Sequence, residues 1–165
     1  MKEKKKLWCL SLLSFKDLCE TNGWDKQVPN NVAIISIIGS PQCKDDEEEH
    51  ICHGDNVLNI EFDDCSPQAF GLDENLETYT YKSSDTKETT LQFFTKEMAL
   101  KSIEFINNNI GKDFYIHCFA GVSRSQAFVS FISQYYTQVK WETNPNNPCR
   151  FPNYFVKFKL AENIR

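Results

Sequence analysis

The 165-residue chain predicts an α/β fold: a single-domain α/β/α sandwich built on a central, mostly parallel sheet of roughly four to five strands. Three observations predict it. Short apolar runs alternate with segments of helical spacing, the order expected when parallel strands are joined by helices. One run, Val32-Ala-Ile-Ile-Ser-Ile-Ile38, is almost wholly apolar and β-branched, as a strand covered on both faces must be. Another, Phe114-Tyr-Ile116, passes through His117 and Cys118 into a turn containing Gly121 and then a helical pattern. Strand end, tight loop and helix N-terminus follow one another there.

Taken in order, residues 7–13 (Leu-Trp-Cys-Leu-Ser-Leu-Leu) read as a buried first strand. The lysines before them imitate the basic region of a signal peptide. The apolar part is short, however, and Lys16 and Asp17 follow without a small-residue cleavage site, so a strand is expected. Ser14 to Gly23 reads as a short helix, with Ser14 as its cap and Gly23 at its end. The strand at 32–38 is halted by Gly39-Ser-Pro41. Residues 42–56 form an acidic loop containing Asp45-Asp-Glu-Glu-Glu49, expected to be solvated and dispensable for chemistry. Cys43, His50, Cys52 and His53 lie in that loop with a spacing that fits no common structural zinc pattern, so no metal is expected.

Val57-Leu-Asn-Ile-Glu-Phe62 is a further strand, and it runs into Asp63-Asp64. Residues 66–90 are polar and longer than the usual connection, which suggests an insertion or flap beside a site. Thr95 to Asn109 is a helix with Thr95 as N-cap, and Met98, Ala99, Ser102, Ile103, Ile106 and Ile110 share one face. The helix after the central turn has Ala127, Phe128, Phe131, Ile132 and Tyr135 on its apolar side. Asn144-Pro-Asn-Asn-Pro148 breaks it, and Phe151 to Leu160 suggests a terminal helix laying an aromatic face on the sheet. Nothing repeats, and no linker divides residues 1–165.

Formal net charge is −5 and no basic stripe runs along any element, which argues against a nucleic-acid partner. No apolar run approaches the ~20 residues needed to cross a bilayer. Seven cysteines, an odd number without regular spacing, do not read as a disulfide framework.

The chemistry concentrates between His117 and Ser125. A strand-loop-helix junction gathers backbone N–H groups around an anion, and Cys118 would lie at the floor of that cradle. The helix dipole and the Arg124 guanidinium would both favour a nucleophilic sulfur there. Arg124 offers a planar fork suited to two phosphoryl oxygens, and Ser125 a hydroxyl that would steady the departing sulfur.

His117-Cys118-Phe-Ala-Gly-Val-Ser-Arg124-Ser125 resembles the H-C-x-x-G-x-x-R-[ST] signature of cysteine-dependent protein tyrosine phosphatases, its later part most similar to the dual-specificity branch. The resemblance implies hydrolysis of phosphomonoesters through a phospho-cysteine intermediate, with no metal or organic cofactor. It implies Cys118 as nucleophile, Arg124 as phosphate clamp, and a cradle of Phe119, Ala120, Gly121, Val122, Ser123 and Arg124, with His117 in support. It also implies an Asp as general acid, following a strand that precedes the catalytic one. Asp64 has that setting at the end of Leu58-Asn-Ile-Glu-Phe-Asp-Asp64 and is preferred; Asp63 and Asp85 are the alternatives.

Members of the resembled family that act on phosphoinositides or inositol phosphates often carry Lys in this loop, and its absence here argues mildly against such polyanionic substrates. A phosphotyrosine protein or peptide is the expected substrate, phosphoserine/threonine a further one. A monomer in the cytoplasm is expected, where thiols stay reduced. Three other readings remain: a catalytically weak phosphate-binding module, a phosphatase of non-protein substrates such as phosphoinositides, and a redox or arsenate-reducing protein, which would need a second thiol near Cys118.

Overall fold

The computed structural model describes residues 2–82, 84–144 and 151–164. Its strands are β1 (Lys5–Leu10), β2 (Val32–Ile38), β3 (Val57–Glu61), β4 (Thr78–Lys82), β5 (Glu88–Gln92), β6 (Asp113–His117) and β7 (Trp141–Thr143). Its α-helices are α1 (Leu12–Asn22), α2 (Lys96–Asn109), α3 (Arg124–Tyr135) and α4 (Tyr154–Asn163). Five strands make one all-parallel sheet in the order β3-β2-β6-β1-β7, flanked by helices as an α/β/α sandwich. Strands β4 and β5 form a separate antiparallel hairpin.

The strands sort their side chains by the period of two. Leu7 and Cys9 of β1, Ala33, Ile35 and Ile37 of β2, and Phe114, Ile116 and Cys118 at β6 join the core under α2, α3 and α4. The intervening Trp8 and Leu10, Val32 and Ile34, and Tyr115 join a smaller core with Phe15 and Cys19 of α1. Every residue of β2 is buried, so both halves of its apolar run are used. His117 falls on the α1 side, stacked on Phe15 with 4.2 Å between ring centroids, while Cys118 falls on the other.

Several boundaries differ from the sequence expectation. The first strand ends at Leu10, and α1 starts earlier than Ser14, because Ser11 accepts the Ser14 N–H and serves as cap. Gly23 does end that helix, at φ 70°. Thr95 caps α2 by accepting the Met98 N–H, and Ala99, Ser102, Ile103 and Ile106 are buried. The short strand β7 has no local pattern to announce it. Only its pairing with β1 makes it a strand, and its exposed Glu142 and Thr143 carry no apolar signal.

The terminal helix packs against α2 and α3 rather than on the sheet. Val156 and Leu160, four apart, turn inward, whereas Tyr154 and Phe158 stay exposed. The aromatic face is therefore the outer one. The Pro-Asn-Asn-Pro run at 145–148 lies outside the described residues. Residues 66–90 are not structureless: a short 3-10 turn at Pro67–Phe70 leads to the β4–β5 hairpin. Among the described residues no helix is long and apolar enough to cross a membrane.

Candidate active site

Strand β6 sits in the middle of the sheet, so its carboxyl end delivers His117 and Cys118 between α1 and α3. The chain turns at Gly121, whose φ of 73° lies in the left-handed region. A Cβ there would meet the Leu10 carbonyl carbon at 2.8 Å and the Ser11 nitrogen at 2.7 Å. Both are backbone atoms and cannot step aside, so the turn admits glycine alone. The Leu12 N–H bonds the Phe119 carbonyl at 2.9 Å, and the Asn153 N–H bonds that of Ser123 at 3.0 Å. The loop is thus held from both flanks.

Within this turn the Cys118 sulfur is almost wholly buried. It accepts the Gly121 N–H at 3.2 Å and lies 3.0 Å from the Ser125 hydroxyl. A second sulfur, that of Cys9, lies 2.9 Å from the same hydroxyl and 3.4 Å from the Gly121 carbonyl. Cys9 pairs with Ile116 across the sheet, two residues before Cys118.

Arg124 opens α3 and is buried. One guanidinium nitrogen, Nη1, donates to the Phe62 carbonyl at 2.9 Å. Nη2 lies 3.6 Å from Glu48 Oε1, and Nε has no hydrogen-bond partner among the described residues. A buried guanidinium N–H without an acceptor is costly, and a tetrahedral oxyanion beside the Nε–Nη2 edge would satisfy it. Nη1 is anchored on the backbone and Nη2 faces Glu48, which leaves Nε as the donor without an acceptor.

The three candidate acids have different surroundings. Asp63 is buried, and it accepts from the Ser40 N–H, the Ser40 hydroxyl and the Gln92 N–H at 2.9, 2.7 and 2.8 Å. Asp64 is exposed and accepts from the Ser123 hydroxyl at 2.7 Å and the Asn153 side-chain amide at 2.9 Å. Asp85 lies in the exposed hairpin turn, where it takes the Lys87 N–H at 3.3 Å. A cleft of about 280 Å³ is lined by Asp45, Glu48, Asp63, Asp64, Phe119 and Arg124, together with Gly39 and Cys43. Of the three, Asp63 and Asp64 border it.

The acidic loop reaches further into the molecule than its composition suggests. Glu48 is buried beside Arg124, and its second oxygen takes the Asp45 N–H at 2.8 Å. The sulfur of Cys52 is buried 3.4 Å from that of Cys19, and the contact raises the Cys19 thiol above its ordinary range. Its sequence neighbour His53 lies 3.4 Å from Asn59, and Cys43 donates to the Thr90 carbonyl at 3.5 Å. His50 lies 2.9 Å from Ser36, whose hydroxyl is 2.6 Å from His117 Nε2. Burial drives the His117 imidazole down to about 4.

Sequence reasoning missed Glu48, His50, Ser36 and Cys9. For Ser36 a signal existed: a lone hydroxyl inside an otherwise apolar, fully covered strand requires a partner. Glu48 is one acid in a run, with nothing to single it out. The Phe70, Tyr79 and Tyr81 rings pack in series on the hairpin, 5.4 and 6.1 Å between centroids. The hairpin stands beside the cleft, because the Thr90 N–H bonds Gln42 at 2.8 Å and Cys43 is a cleft residue.

Comparison with models of known protein families, with curated proteins and with solved structures found no match for this chain.

Proposed function

We propose that this chain is a cysteine-dependent phosphatase that hydrolyses phosphomonoesters in proteins through a phospho-cysteine intermediate. One observation carries the reading. The Cys118 sulfur lies at the N-terminus of α3 under the Gly121 N–H, beside a buried Arg124 whose Nε lacks an acceptor. That is a nucleophile and an oxyanion clamp on one turn.

In the proposed sequence the Cys118 thiolate attacks phosphorus, a P–S bond forms and the ester P–O bond breaks. Asp64 protonates the departing oxygen. Arg124 and the loop amides, from Phe119 to Arg124, hold the three equatorial oxygens. Asp64 then takes a proton from water, the water oxygen bonds to phosphorus, and the P–S bond breaks. Ser125, at 3.0 Å, stabilises the sulfur as it leaves.

Asp64 is preferred to Asp63 because it is exposed and held beside the loop by Ser123, whereas all three donors around Asp63 tie it to structure. Four carboxylates around one guanidinium disfavour a polyanionic ligand and favour a single phosphate on a protein side chain. The buried sulfur favours phosphotyrosine, the longest of the three phosphorylated side chains, with phosphoserine/threonine a further class. A working thiolate also requires reducing surroundings, which supports a cytoplasmic enzyme.

The test is hydrolysis of para-nitrophenyl phosphate by wild type and Cys118→Ser. Turnover in the wild type, with none in the variant and vanadate binding kept, is expected. Vanadate binding without wild-type turnover would make the chain a phosphate-binding module instead.

A further inference from the structure

The hydrogen bonds around His117 fix one another's direction. His117 Nδ1 lies 3.2 Å from the Cys118 carbonyl. A carbonyl only accepts, so Nδ1 carries a proton and donates. The ring is wholly buried, its Nε2 faces a hydroxyl, and no carboxylate is among its hydrogen-bond partners, so it is neutral. Nε2 is then a bare acceptor. The Ser36 hydroxyl, 2.6 Å away, must give it its only hydrogen. That leaves Ser36 Oγ as acceptor toward His50 Nδ1 at 2.9 Å, so His50 Nδ1 is the donor. The far nitrogen of His50 lies 3.6 Å from Glu61 Oε1 on β3, beyond hydrogen-bond distance, so the chain begins at His50 Nδ1. One directed chain runs from the cleft-side loop to the backbone of the nucleophile.

The same geometry follows from topology. Ser36 and His117 are register partners on β2 and β6, side by side on the α1 face. Phe15 stacks flat on the imidazole, 18° from parallel, and removes one freedom of the ring. The hydrogen bonds remove the other. What the ring then holds is the Cys118 carbonyl, one end of the Cys118–Phe119 peptide plane. In a trans peptide the N–H points opposite to the C=O, so fixing the carbonyl aims the Phe119 N–H, the first amide of the loop.

We propose that His50 is a positioning residue for the Cys118 loop: through Ser36 and His117 it sets the orientation of the Cys118–Phe119 peptide, and with it the first amide of the anion cradle. The proposal rests on the phosphatase reading for its kinetic consequence, and on geometry alone for its tautomers. It gives the acidic loop a second contact with the site, independent of Glu48.

The experiment records imidazole ¹⁵N spectra of the full chain beside para-nitrophenyl phosphate turnover, for wild type, His50→Ala and His50→Asn. In the wild type, His117 should carry its proton on Nδ1 and His50 on its own Nδ1. Asn places an amide N–H where Nδ1 stands, so His50→Asn should keep the His117 shifts and turnover within about twofold. His50→Ala frees the Ser36 hydroxyl to turn, which should shift His117 Nε2 and lower kcat/KM by about three- to tenfold, the worth of one hydrogen bond. A wild-type His117 protonated on Nε2 would overturn the proposal. So would a folded His50→Ala with unchanged shifts and rate, or a folded His50→Asn as impaired as His50→Ala. If the wild type hydrolyses nothing, the phosphatase reading fails, and the spectra still decide the tautomer chain.

Discussion

Glu48 and Arg124 form a buried ion pair, 3.6 Å between Oε1 and Nη2, that joins the acidic loop to the first residue of α3. Removing one partner of such a pair leaves an uncompensated charge in the interior, a cost of about 3–5 kcal/mol. Glu48→Ala is therefore expected to lower the denaturant midpoint substantially. Vanadate or phosphate should restore more stability to the variant than it adds to wild type, because the anion replaces the lost partner. An equally stable variant with the wild-type response to vanadate would show that Arg124 does not depend on the loop.

The fork geometry of Arg124 makes a separate prediction. Arg124→Lys keeps the charge but loses the Nη1 bond to the Phe62 carbonyl and the bidentate edge. Steady-state kinetics should show kcat/KM down by about 10²–10³. An unchanged value would mean that backbone amides alone hold the phosphate.

Asp63 and Asp64, adjacent in sequence, are expected to fail in different ways. Asp64→Asn removes the proposed acid from an exposed position. It should slow esters with poor leaving groups by about 10²–10⁴ and leave the melting temperature nearly unchanged. Asp63→Asn disturbs three hydrogen bonds at a buried carboxylate, so it should destabilise the fold by about 1–3 kcal/mol. If instead Asp63→Asn is stable and inactive while Asp64→Asn is active, the two roles must be exchanged.

His117 sets an acid limit on stability. Its imidazole falls from 6.5 to about 4 because burial disfavours the charged ring. The unfolded chain takes up a proton below about 6.5, and the folded chain does so only near 4. Stability from this group is thus complete above pH 6.5 and declines as pH falls toward 4, by on the order of 3 kcal/mol. Urea denaturation at pH 7 and pH 5 should show a steeper loss for wild type than for His117→Asn. Equal slopes would place the acid sensitivity elsewhere.

The β4–β5 hairpin stands beside the cleft with a series of packed aromatic rings. Deleting residues 68–88 with a short Gly/Ser bridge should raise KM for phosphopeptides and spare turnover of small aryl phosphates. Loss of aryl phosphate turnover in a well-folded deletion would point to Asp85, inside the segment, as the acid.

Local residue patterns were enough to mark the sheet's buried centre and the turn that follows it. Val32–Ile38 is a strand in the structure with the predicted limits, because an all-apolar β-branched run has nowhere to go except between two layers. Cys118, Gly121, Arg124 and Ser125 meet on one turn because they are close in sequence, and local geometry suffices to gather them. Tertiary structure alone decided the rest. Cys9, Ser36, the acidic-loop pair Glu48 and His50, and Asp64 come from four different stretches, and strand register and loop anchoring bring them to the site. Strand β7 exists only because β1 offers it an edge. The outward aromatic face of α4 follows from which neighbours, α2 and α3, were there to cover its Val156 and Leu160. Short-range patterns are set by the backbone's two periods, whereas these long-range meetings depend on packing that no local run of residues encodes.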